Sequence, residues 1–517
     1  MATTTEKHPR GLYVLFGTEM WERYSFYTVG AMLSLYLRDA NEGFGFSNAR
    51  SASVVSTYNM FIYFTPLIGG LIADRLTGFR KAIMIGGVSF MIGHALLAVP
   101  DNLFICYLAL TFLVIGNGFF KPNVSSMVGN LYREGSHLKD KAYLIFYMGI
   151  NIGALLAPLV ADYIQPKWGF HPAFFMGAVG MVISLVVFGI NQKWVRYADR
   201  RKDEVGDFAR PDTSRGHQEA VAVTEDLPPT PEAVAMAAVP EWKRIMALIV
   251  IFLIVIVFWM VFHQNSISLT WWAEDHSVAL PGILSNAINP LFIIILSLPL
   301  AAFWGWLDRR NLEPSTPVKM MFGMILTGLS FVILYFAANS GGFTKPVFEV
   351  VRATPTETWV AIAPEARQHL GITAPSAKLE GDRDAWRVTT TGGATVKEGE
   401  FVRFEGQAGE QITVAPTQRV SAWWLIVAYF VLSLGELMLS PMGLSLVSKV
   451  APIRMRGVMM GGWFAATAIG NKLTGVAGYW DLWSHSYFFI LLASMALGMA
   501  VVLLVLLRPL KKAMPGV

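Results

Sequence analysis

Two carboxylates and a guanidinium interrupt a stretch that is otherwise apolar enough to cross a membrane. The stretch covers about residues 12–37 and contains Glu19, Glu22 and Arg23. Residues at i, i+3 and i+4 share one helix face, so the three charges point the same way. Charge at membrane depth is costly and survives where it faces a bundle interior or a wet cavity. A structural Glu19–Arg23 ion pair is the alternative, but three charges with nearby tyrosines exceed what packing needs. The motif therefore indicates a cavity for charged groups.

The composition agrees with a membrane protein. Of the 517 residues, 54% are hydrophobic and 15% are charged, whereas soluble domains carry about 25% charged residues. A spanning helix needs about 20 residues, and twelve stretches are long enough. They lie near residues 12–37, 54–73, 82–99, 103–128, 143–164, 173–190, 245–272, 280–306, 320–338, 422–447, 458–479 and 487–507. We therefore predict an all-α membrane protein with twelve transmembrane helices.

The basic residues are distributed unequally between the two sides of these stretches. If the N-terminus is cytoplasmic, the short inner segments carry most lysines and arginines, whereas the short outer loops carry Arg38, Arg50 and Lys167. Cytoplasmic loops of membrane proteins show this excess of positive charge. We therefore expect a multi-pass protein of the inner or plasma membrane with both termini in the cytoplasm. The net charge of +5 does not indicate nucleic-acid binding, because the basic residues sit at helix ends.

Two long polar segments divide the chain. Residues 193–244 follow the sixth stretch, and their low hydrophobicity and scattered prolines predict a flexible cytoplasmic linker. A short repeat indicates two related halves, because 70–75 ends the second stretch and the similar 305–309 ends the eighth. The expected units are an N-terminal six-helix half at 1–192, the linker at 193–244, a C-terminal six-helix half at 245–339 and 421–517, and an insertion at 340–420.

The insertion at 340–420 follows the ninth stretch and is therefore expected to be extracytoplasmic. Its segments 358–362, 385–389 and 402–405 contain β-branched and aromatic residues in partial alternation, which is typical of strands. The glycine pair at 392–393 is a plausible turn between two of them. We predict a small β-rich domain between helices nine and ten.

Polar residues also occur deep in the other N-terminal stretches. Lys121 lies in the fourth stretch, where a lysine must find an anion or lose its proton. The available carboxylates are Glu19 and Glu22, and the alternative is that Lys121 reaches an interface. Asn151 lies among glycines in the fifth stretch, where it forms either a hydrogen bond between helices or a ligand contact.

The C-terminal half carries its own polar groups. Glu436 lies near Gly435 and Pro441, which weaken the helix locally and suit a bending gate. It is either protonated or paired with the cation of a ligand. His263 in the seventh stretch titrates near neutral pH if it is free, but a lone histidine is often a satisfied hydrogen-bonding residue. Four more residues are candidates to line a cavity, although such residues are more often packing: Tyr63, Trp259, Asn289 and Trp463.

These segments together resemble the proton-dependent oligopeptide transporter family of the major facilitator superfamily. The first-helix motif of that family, two glutamates and an arginine followed by aromatics, is similar to the segment that contains Glu19, Glu22, Arg23 and Tyr27. Further matches are 69–75, 120–123, 146–153, 289–292, Glu436 and 461–464. The resemblance covers nearly all the apolar stretches and neither long polar segment.

The resemblance implies a proton-coupled symporter that imports di- and tripeptides by alternating access. For such a symporter we expect no catalytic residues, no metal and no cofactor other than the coupling proton. The residues expected to couple protons are Glu19, Glu22, Arg23, Lys121 and His263. Glu436 would meet the peptide's amino terminus, and basic residues of the N-terminal half its carboxylate. The full set of expected substrate contacts is Tyr27, Tyr63, Lys121, Asn151, Trp259, Asn289, Glu436 and Trp463.

Three departures from the family pattern bear on function. Many bacterial relatives have an arginine where this chain has Gly30, so carboxylate binding would depend more on Lys121 and Arg23. His263 occupies the place of a seventh-helix glutamate. Residues 193–244 are too polar for the two extra helices of bacterial relatives, and the insertion is similar to that of animal relatives. Transport of nitrate or another small anion, and a non-transporting peptide receptor, are the alternatives.

Overall fold

Long helices make up most of the computed structural model, which describes residues 8–100, 102–132, 138–199, 235–236, 238–379, 383–452 and 455–515. The first six are α1 (Arg10–Arg38), α2 (Asn48–Ile72), α3 (Phe79–Leu97), α4 (Leu103–Asn130), α5 (Leu138–Trp168) and α6 (Phe170–Ile190). A π-helical turn, Ala73–Thr77, extends α2. Helices α1, α3, α4, α5 and α6 pack against one another, and α2 packs on α4, so they form one bundle.

The later helices form a second bundle, in which two of the spans each consist of two consecutive helices. They are α7 (Glu241–Phe262), α8 (Ser268–His276), α9 (Gly282–Ser285), α10 (Ile288–Asp308), α11 (Thr316–Ser340), α13 (Trp423–Val450), α14 (Arg456–Leu473) and α15 (His485–Ala513). The short helix α12 (Pro364–His369) belongs to the insertion. Helix α11 packs on α13 and α15, while α14 packs on α7 and, across the two bundles, on α2.

Ten helical segments among the described residues are long and apolar enough to cross a membrane. They include α7 and α8 taken together as Glu241–His276, and α9 and α10 taken together as Gly282–Asp308. Two further helices coincide with predicted spans but are not among the ten. Helix α1 contains three charges in its middle, and α14 is 18 residues long and rich in glycine. The chain is therefore a mostly helical, multi-pass membrane protein.

The charged residues of α1 face the interior of the first bundle. Glu19, Glu22 and Arg23 are 1%, 0% and 2% exposed. Helix α5 approaches α1 closely at this level, because a Cβ added at Gly153 would lie 2.2 Å from the Met20 carbonyl oxygen. A larger residue than glycine would push α5 away from the charges. The packing therefore seals this side of the cluster from lipid.

The seventh span is interrupted, which the sequence pattern did not predict. Helix α7 ends at Phe262 and a 3₁₀ turn, His263–Ser266, precedes α8. The buried Gln264 amide donates to the Met260 carbonyl and, at 3.2 Å, to the Thr474 carbonyl. Thr474 begins the 3₁₀ segment Thr474–Tyr479 that follows α14. The two helices thus lose regular geometry at one level, and Gln264 joins the breaks.

The insertion folds as a small closed barrel. Its strands are β2 (Val347–Ala353), β3 (Thr358–Ala361), β4 (Ala377–Leu379), β5 (Arg383–Thr390), β6 (Phe401–Ala408) and β7 (Gln411–Pro416). Five of them close in the order β3-β2-β6-β7-β5, because β5 also pairs with β3, and β4 extends β5. The inward side chains, among them Val350, Trp386 and Val402, form a separate apolar core. Gly392 and Gly393 adopt positive φ in the turn after β5.

The barrel is attached to the second bundle. Strand β1 (Ser277–Val278) after α8 pairs in parallel with β8 (Val420–Ser421) before α13. The Phe343 carbonyl at the barrel's base accepts hydrogen bonds from the backbone N–H and hydroxyl of Ser486 in α15. Within the barrel, Glu405 accepts from Lys345 and, at 2.5 Å, from Arg403 Nε. These donors lower the pKa of Glu405 below its usual range.

The start of the predicted linker is ordered against the first bundle. Two 3₁₀ turns, Gln192–Trp194 and Arg196–Ala198, lead to Asp199. The Asp199 carboxylate accepts from the backbone N–H of Phe79 at 2.8 Å and from Arg80 Nε at 2.7 Å, so it caps α3. Asp199 therefore holds the start of the predicted linker against α3. Most of the remaining linker, 200–234, lies outside the described residues.

Candidate functional site

The buried charges of α1 form one compact cluster. Arg23 donates from Nε to Glu22 Oε2 at 2.5 Å and from Nη2 to Glu22 Oε1 at 2.6 Å, a two-pronged ion pair. Arg23 Nε also lies 3.3 Å from Glu19 Oε1. The second Glu19 oxygen has no partner within the described part of the chain. Two carboxylates thus share one guanidinium, so the cluster has a carboxylate oxygen to spare for a proton.

Lys121 does not pair with Glu22 in this conformation. Arg23 occupies both Glu22 oxygens, and no described residue forms an ion pair with Lys121. The Lys121 ammonium instead lies 4.8 Å from the centroid of the Tyr63 ring. A cation over an aromatic face is stabilised without a counter-ion. Neither of the carboxylates considered as partners, Glu19 or Glu22, therefore forms an ion pair with Lys121 here.

Aromatic residues continue from Lys121 into the second bundle. The Tyr63 ring lies 5.5 Å from the His263 ring, and His263 stacks on Trp259 with centroids 4.9 Å apart. Within the described residues, His263 Nδ1 and Trp259 Nε1 have no hydrogen-bond partner. One row of side chains thus crosses the interface between the bundles, in the order Lys121, Tyr63, His263 and Trp259.

Glu436 is held by neutral side chains of the second bundle. Asn289 Nδ2 donates to Glu436 Oε2 at 3.0 Å and to Ser433 Oγ at 2.9 Å. The carboxylate acts electrostatically on the hydroxyls of Tyr27 and Tyr63 in the first bundle, as on Tyr147 in α5. The carboxylate thus faces the first bundle. An acidic group on one side of the interface is therefore set against the Lys121 side.

The remaining predicted residues lie in packing contacts. Asn151 Nδ2 donates at 2.9 Å to the Tyr147 carbonyl of its own helix, so this amide hydrogen does not join two helices. Trp463 is buried against Phe252, with ring centroids 6.3 Å apart. A Cβ added at Gly30 meets nothing within 4 Å. Space therefore exists where relatives of the resembled family carry an arginine.

Two polar residues at the site were not singled out from the sequence. Asn117 in α4 accepts from Arg23 Nη2 at 3.1 Å, and Ser433 contacts Asn289. Each lies three or four residues before a predicted site residue, Lys121 or Glu436, and so on the same helix face. A search for polar neighbours at that spacing would have found both.

The two bundles are joined at one end by side-chain hydrogen bonds. Arg38 Nη2 donates to Asp275 at 2.8 Å, and Asn48 Nδ2 donates to Asp481 at 2.6 Å. Lys472 donates to Thr57 at 2.6 Å. Their partners in the first bundle lie at the end of α1 and in the first three turns of α2, and no other such bond between described residues crosses the interface. Burial raises the pKa of Asp481 above its usual range. The molecule is closed at this end.

The fold and the site define a class before any relative is considered. Helical bundles that pack across an interface, with opposed charges inside it and closure at one end, are the architecture of a membrane transporter. A model of the POT family matches residues 80–210, 218–377 and 401–479, well over half of the chain. The chain belongs to the POT family.

Individual relatives match over nearly the whole length. The "Uncharacterized transporter YclF" of Bacillus subtilis is 29% identical, with 99% of this chain and 96% of that protein covered. The "Di-/tripeptide transporter" of Lactococcus lactis subsp. lactis is 27% identical, with coverages of 98% and 97%. A crystal structure of a mutant peptide transporter POT in complex with alafosfalin is 27% identical, with a TM-score of 0.72 and coverages of 100% and 97%.

The closed end should open when its partly buried ion pair is broken. Arg38→Gln leaves the Asp275 carboxylate without its cation, which costs about 1–3 kcal/mol and favours separation of the bundles. The distance between spin labels at Ser53 and Tyr479 can be measured by double electron–electron resonance, with the single native cysteine removed by Cys106→Ala. The Arg38→Gln variant should show a population at longer distance. Arg50→Gln is the control, because Arg50 lies over Phe46 of its own bundle. An unchanged distance distribution for Arg38→Gln would contradict the role of this pair.

Proposed function

We propose that the chain is a proton-coupled symporter that imports di- and tripeptides by alternating access. The observation that carries this proposal is the opposition of Lys121 on the first bundle to Glu436 on the second. A peptide zwitterion has one charge of each sign at its ends, so it can bridge the two groups and draw the bundles together. The Lactococcus lactis relative, named a di-/tripeptide transporter, supports this substrate class.

The proposed topology has twelve spans, with α1 and α14 as the two less apolar ones. Each would be tolerated because its polar or small residues face protein rather than lipid. The positive-inside distribution supports cytoplasmic termini and an extracytoplasmic barrel. With that orientation, the end closed by Arg38 and Asp275 is the outer end. The conformation is then the one that faces the cytoplasm.

In the proposed binding mode, the peptide's amino group meets Glu436 and its carboxylate meets Lys121. Asn289 holds the Glu436 carboxylate in place. Lys121 forms no ion pair with any described residue, so binding an anion there does not require breaking such a pair first. Tyr27, Tyr63 and Trp259 would line the space between the charges. Asn151 and Trp463 would support the pocket through their packing contacts.

Protons would act through the α1 cluster and the neighbouring row. Protonation of Glu22 or Glu19 removes one of the two carboxylates that share Arg23 and leaves the cluster more positive. A peptide carboxylate is then attracted more strongly to Lys121 and Arg23. The Tyr63 ring lies between His263 and Lys121, so protonation of His263 would add a positive charge near Lys121 across the interface. The coupling residues proposed are therefore Glu19, Glu22, Arg23, Lys121 and His263.

The principal test is transport by the purified protein in proteoliposomes. Wild type should take up labelled dipeptide when the outside is acidified and should exchange it in counterflow without a gradient. Glu22→Gln should abolish the gradient-driven uptake and keep measurable exchange, because a neutral amide cannot carry the proton. Undiminished gradient-driven uptake would refute the role of Glu22. Absence of counterflow in wild type would favour a receptor, and nitrate uptake without peptide uptake would favour an anion carrier.

Glu436 should recognise the peptide's amino group. Glu436→Gln leaves that ammonium desolvated without a charged partner, which costs about 2–5 kcal/mol. Binding of a free dipeptide should weaken by about 30-fold or more, while the N-acetylated dipeptide, already poorly bound, should change little. Competition with a labelled dipeptide gives both affinities. Equal losses for the two ligands would contradict the assignment.

His263 should contribute to the pH dependence of transport. His263→Gln keeps a side chain that forms hydrogen bonds but cannot gain a proton. The curve of gradient-driven uptake against pH should flatten between about pH 5 and 8, the range in which histidine switches operate. Gln264→Asn is the control, since it alters the adjacent amide without removing a titrating group. A His263→Gln curve that overlays wild type would leave coupling to α1 alone.

A further inference from the structure

A proline in α2 leaves a backbone carbonyl without its helical partner. Pro66 has no N–H, so the Ile62 carbonyl, four residues earlier, cannot form its usual hydrogen bond. The side chain of Asn117 in α4 supplies the missing donor, with Nδ2 2.6 Å from the Ile62 oxygen. The neighbouring helix therefore repairs the break in α2. An unsatisfied carbonyl at this depth would be costly.

The other end of the same amide holds the charge cluster. Asn117 Oδ1 accepts from Arg23 Nη2 at 3.1 Å, and Asn117 is 1% exposed. The carbonyl of Ile62 requires a donor and the guanidinium requires an acceptor, so the amide has one possible orientation. Asn117 thus connects α1, α2 and α4 through a single buried side chain.

The backbones of α2 and α4 are in contact next to this amide. A Cβ added at Gly69 would lie 2.0 Å from the Gly118 carbonyl oxygen. Gly118 lies four residues before Pro122, so its carbonyl also lacks a helical donor. Two proline breaks therefore face each other across one close helix contact. This contact places the backbone of α4 next to Asn117 directly against α2, whereas Arg23 lies on α1.

We propose that Asn117 is a positioning residue for proton coupling: it keeps Arg23 beside Glu22 and remains its partner when Glu22 is protonated. The inference rests on the proposed function, because it concerns the same cluster. A protonated Glu22 no longer balances Arg23, whereas the Asn117 oxygen is unaffected by pH. Asn117 therefore stabilises the proton-loaded state. The other titratable or charged groups that act on this cluster are Glu19 and Tyr27 on α1, Tyr58 and Tyr63 on α2, and Lys121 on α4.

Loss of the Asn117 oxygen should weaken proton binding. In Asn117→Ala the protonated cluster loses its remaining neutral acceptor, so a higher proton concentration is needed. The pH of half-maximal gradient-driven uptake should move toward acid by about one unit, the size expected for one hydrogen bond to a charged group. Counterflow at a single pH should fall much less than gradient-driven uptake.

A second substitution separates the two ends of the amide. Asn117→Ala also leaves the Ile62 carbonyl bare, and Pro66→Ala returns a backbone N–H to that carbonyl. The double variant should therefore recover the thermal stability of Pro66→Ala alone but keep the acid-shifted pH profile. Asn123→Ala is the matched control: it deletes another buried amide of α4, whose Nδ2 donates to Phe119 of the same helix. Its profile should overlay wild type.

The outcomes are distinct. If Asn117→Ala unfolds, the comparison of the double variant with Pro66→Ala still decides the question. A pH profile that matches its reference in both comparisons overturns the proposal, and so does a double variant whose profile returns to that of Pro66→Ala, since Asn117 would then serve the backbone alone. Failure of wild type to take up peptide when driven by a proton gradient would overturn the proposed function instead.

Discussion

The rest of the structure depends on keeping one guanidinium and two carboxylates out of contact with both water and lipid. Removing such charges from water costs several kcal/mol per ion, and that cost is offset only by close pairing and further hydrogen bonds. The two-pronged contact between Arg23 and Glu22 supplies the pairing, and Asn117 supplies a neutral bond. Tight glycine contacts from α5 shield the cluster from lipid.

The carboxylates of the two bundles have different partners, and this difference suits a ligand with opposite charges at its two ends. In the first bundle, cations surround the carboxylates Glu19 and Glu22. The charge of the cluster therefore depends on whether these carboxylates are protonated. In the second bundle, Glu436 accepts a hydrogen bond from the neutral Asn289 and has no cationic partner among the described residues. A proton or the cation of a ligand can satisfy Glu436, whereas in the α1 cluster Arg23 pairs with both carboxylates. In the proposed mechanism, the ligand's ammonium would therefore bind at Glu436 and the coupling proton at the α1 cluster.

The sequence predicted the helices well because a membrane span must satisfy its own backbone and is long and apolar. It also singled out the charges of α1 that the structure buries, since charges at membrane depth are conspicuous. It did not predict the break at His263, which depends on Gln264 reaching Thr474 more than 200 residues away. Nor did it reveal that Arg23 takes both Glu22 oxygens and leaves Lys121 to Tyr63. Those outcomes depend on competition among neighbours that only the packed bundle brings together.

The barrel's attachments decide how it behaves when the bundles separate. Its parallel pairing of β1 with β8 and its Phe343 contact with Ser486 all involve the second bundle. The cross-bundle bonds at the same end, such as Arg38 to Asp275, come from the helices and not from the barrel. A rocking motion of one bundle against the other would therefore carry the barrel with the second bundle. Among the described residues, no strand pairing joins the barrel to the first bundle, so opening is opposed by the packing of α14 on α2 and by the polar contacts, each worth about 1 kcal/mol.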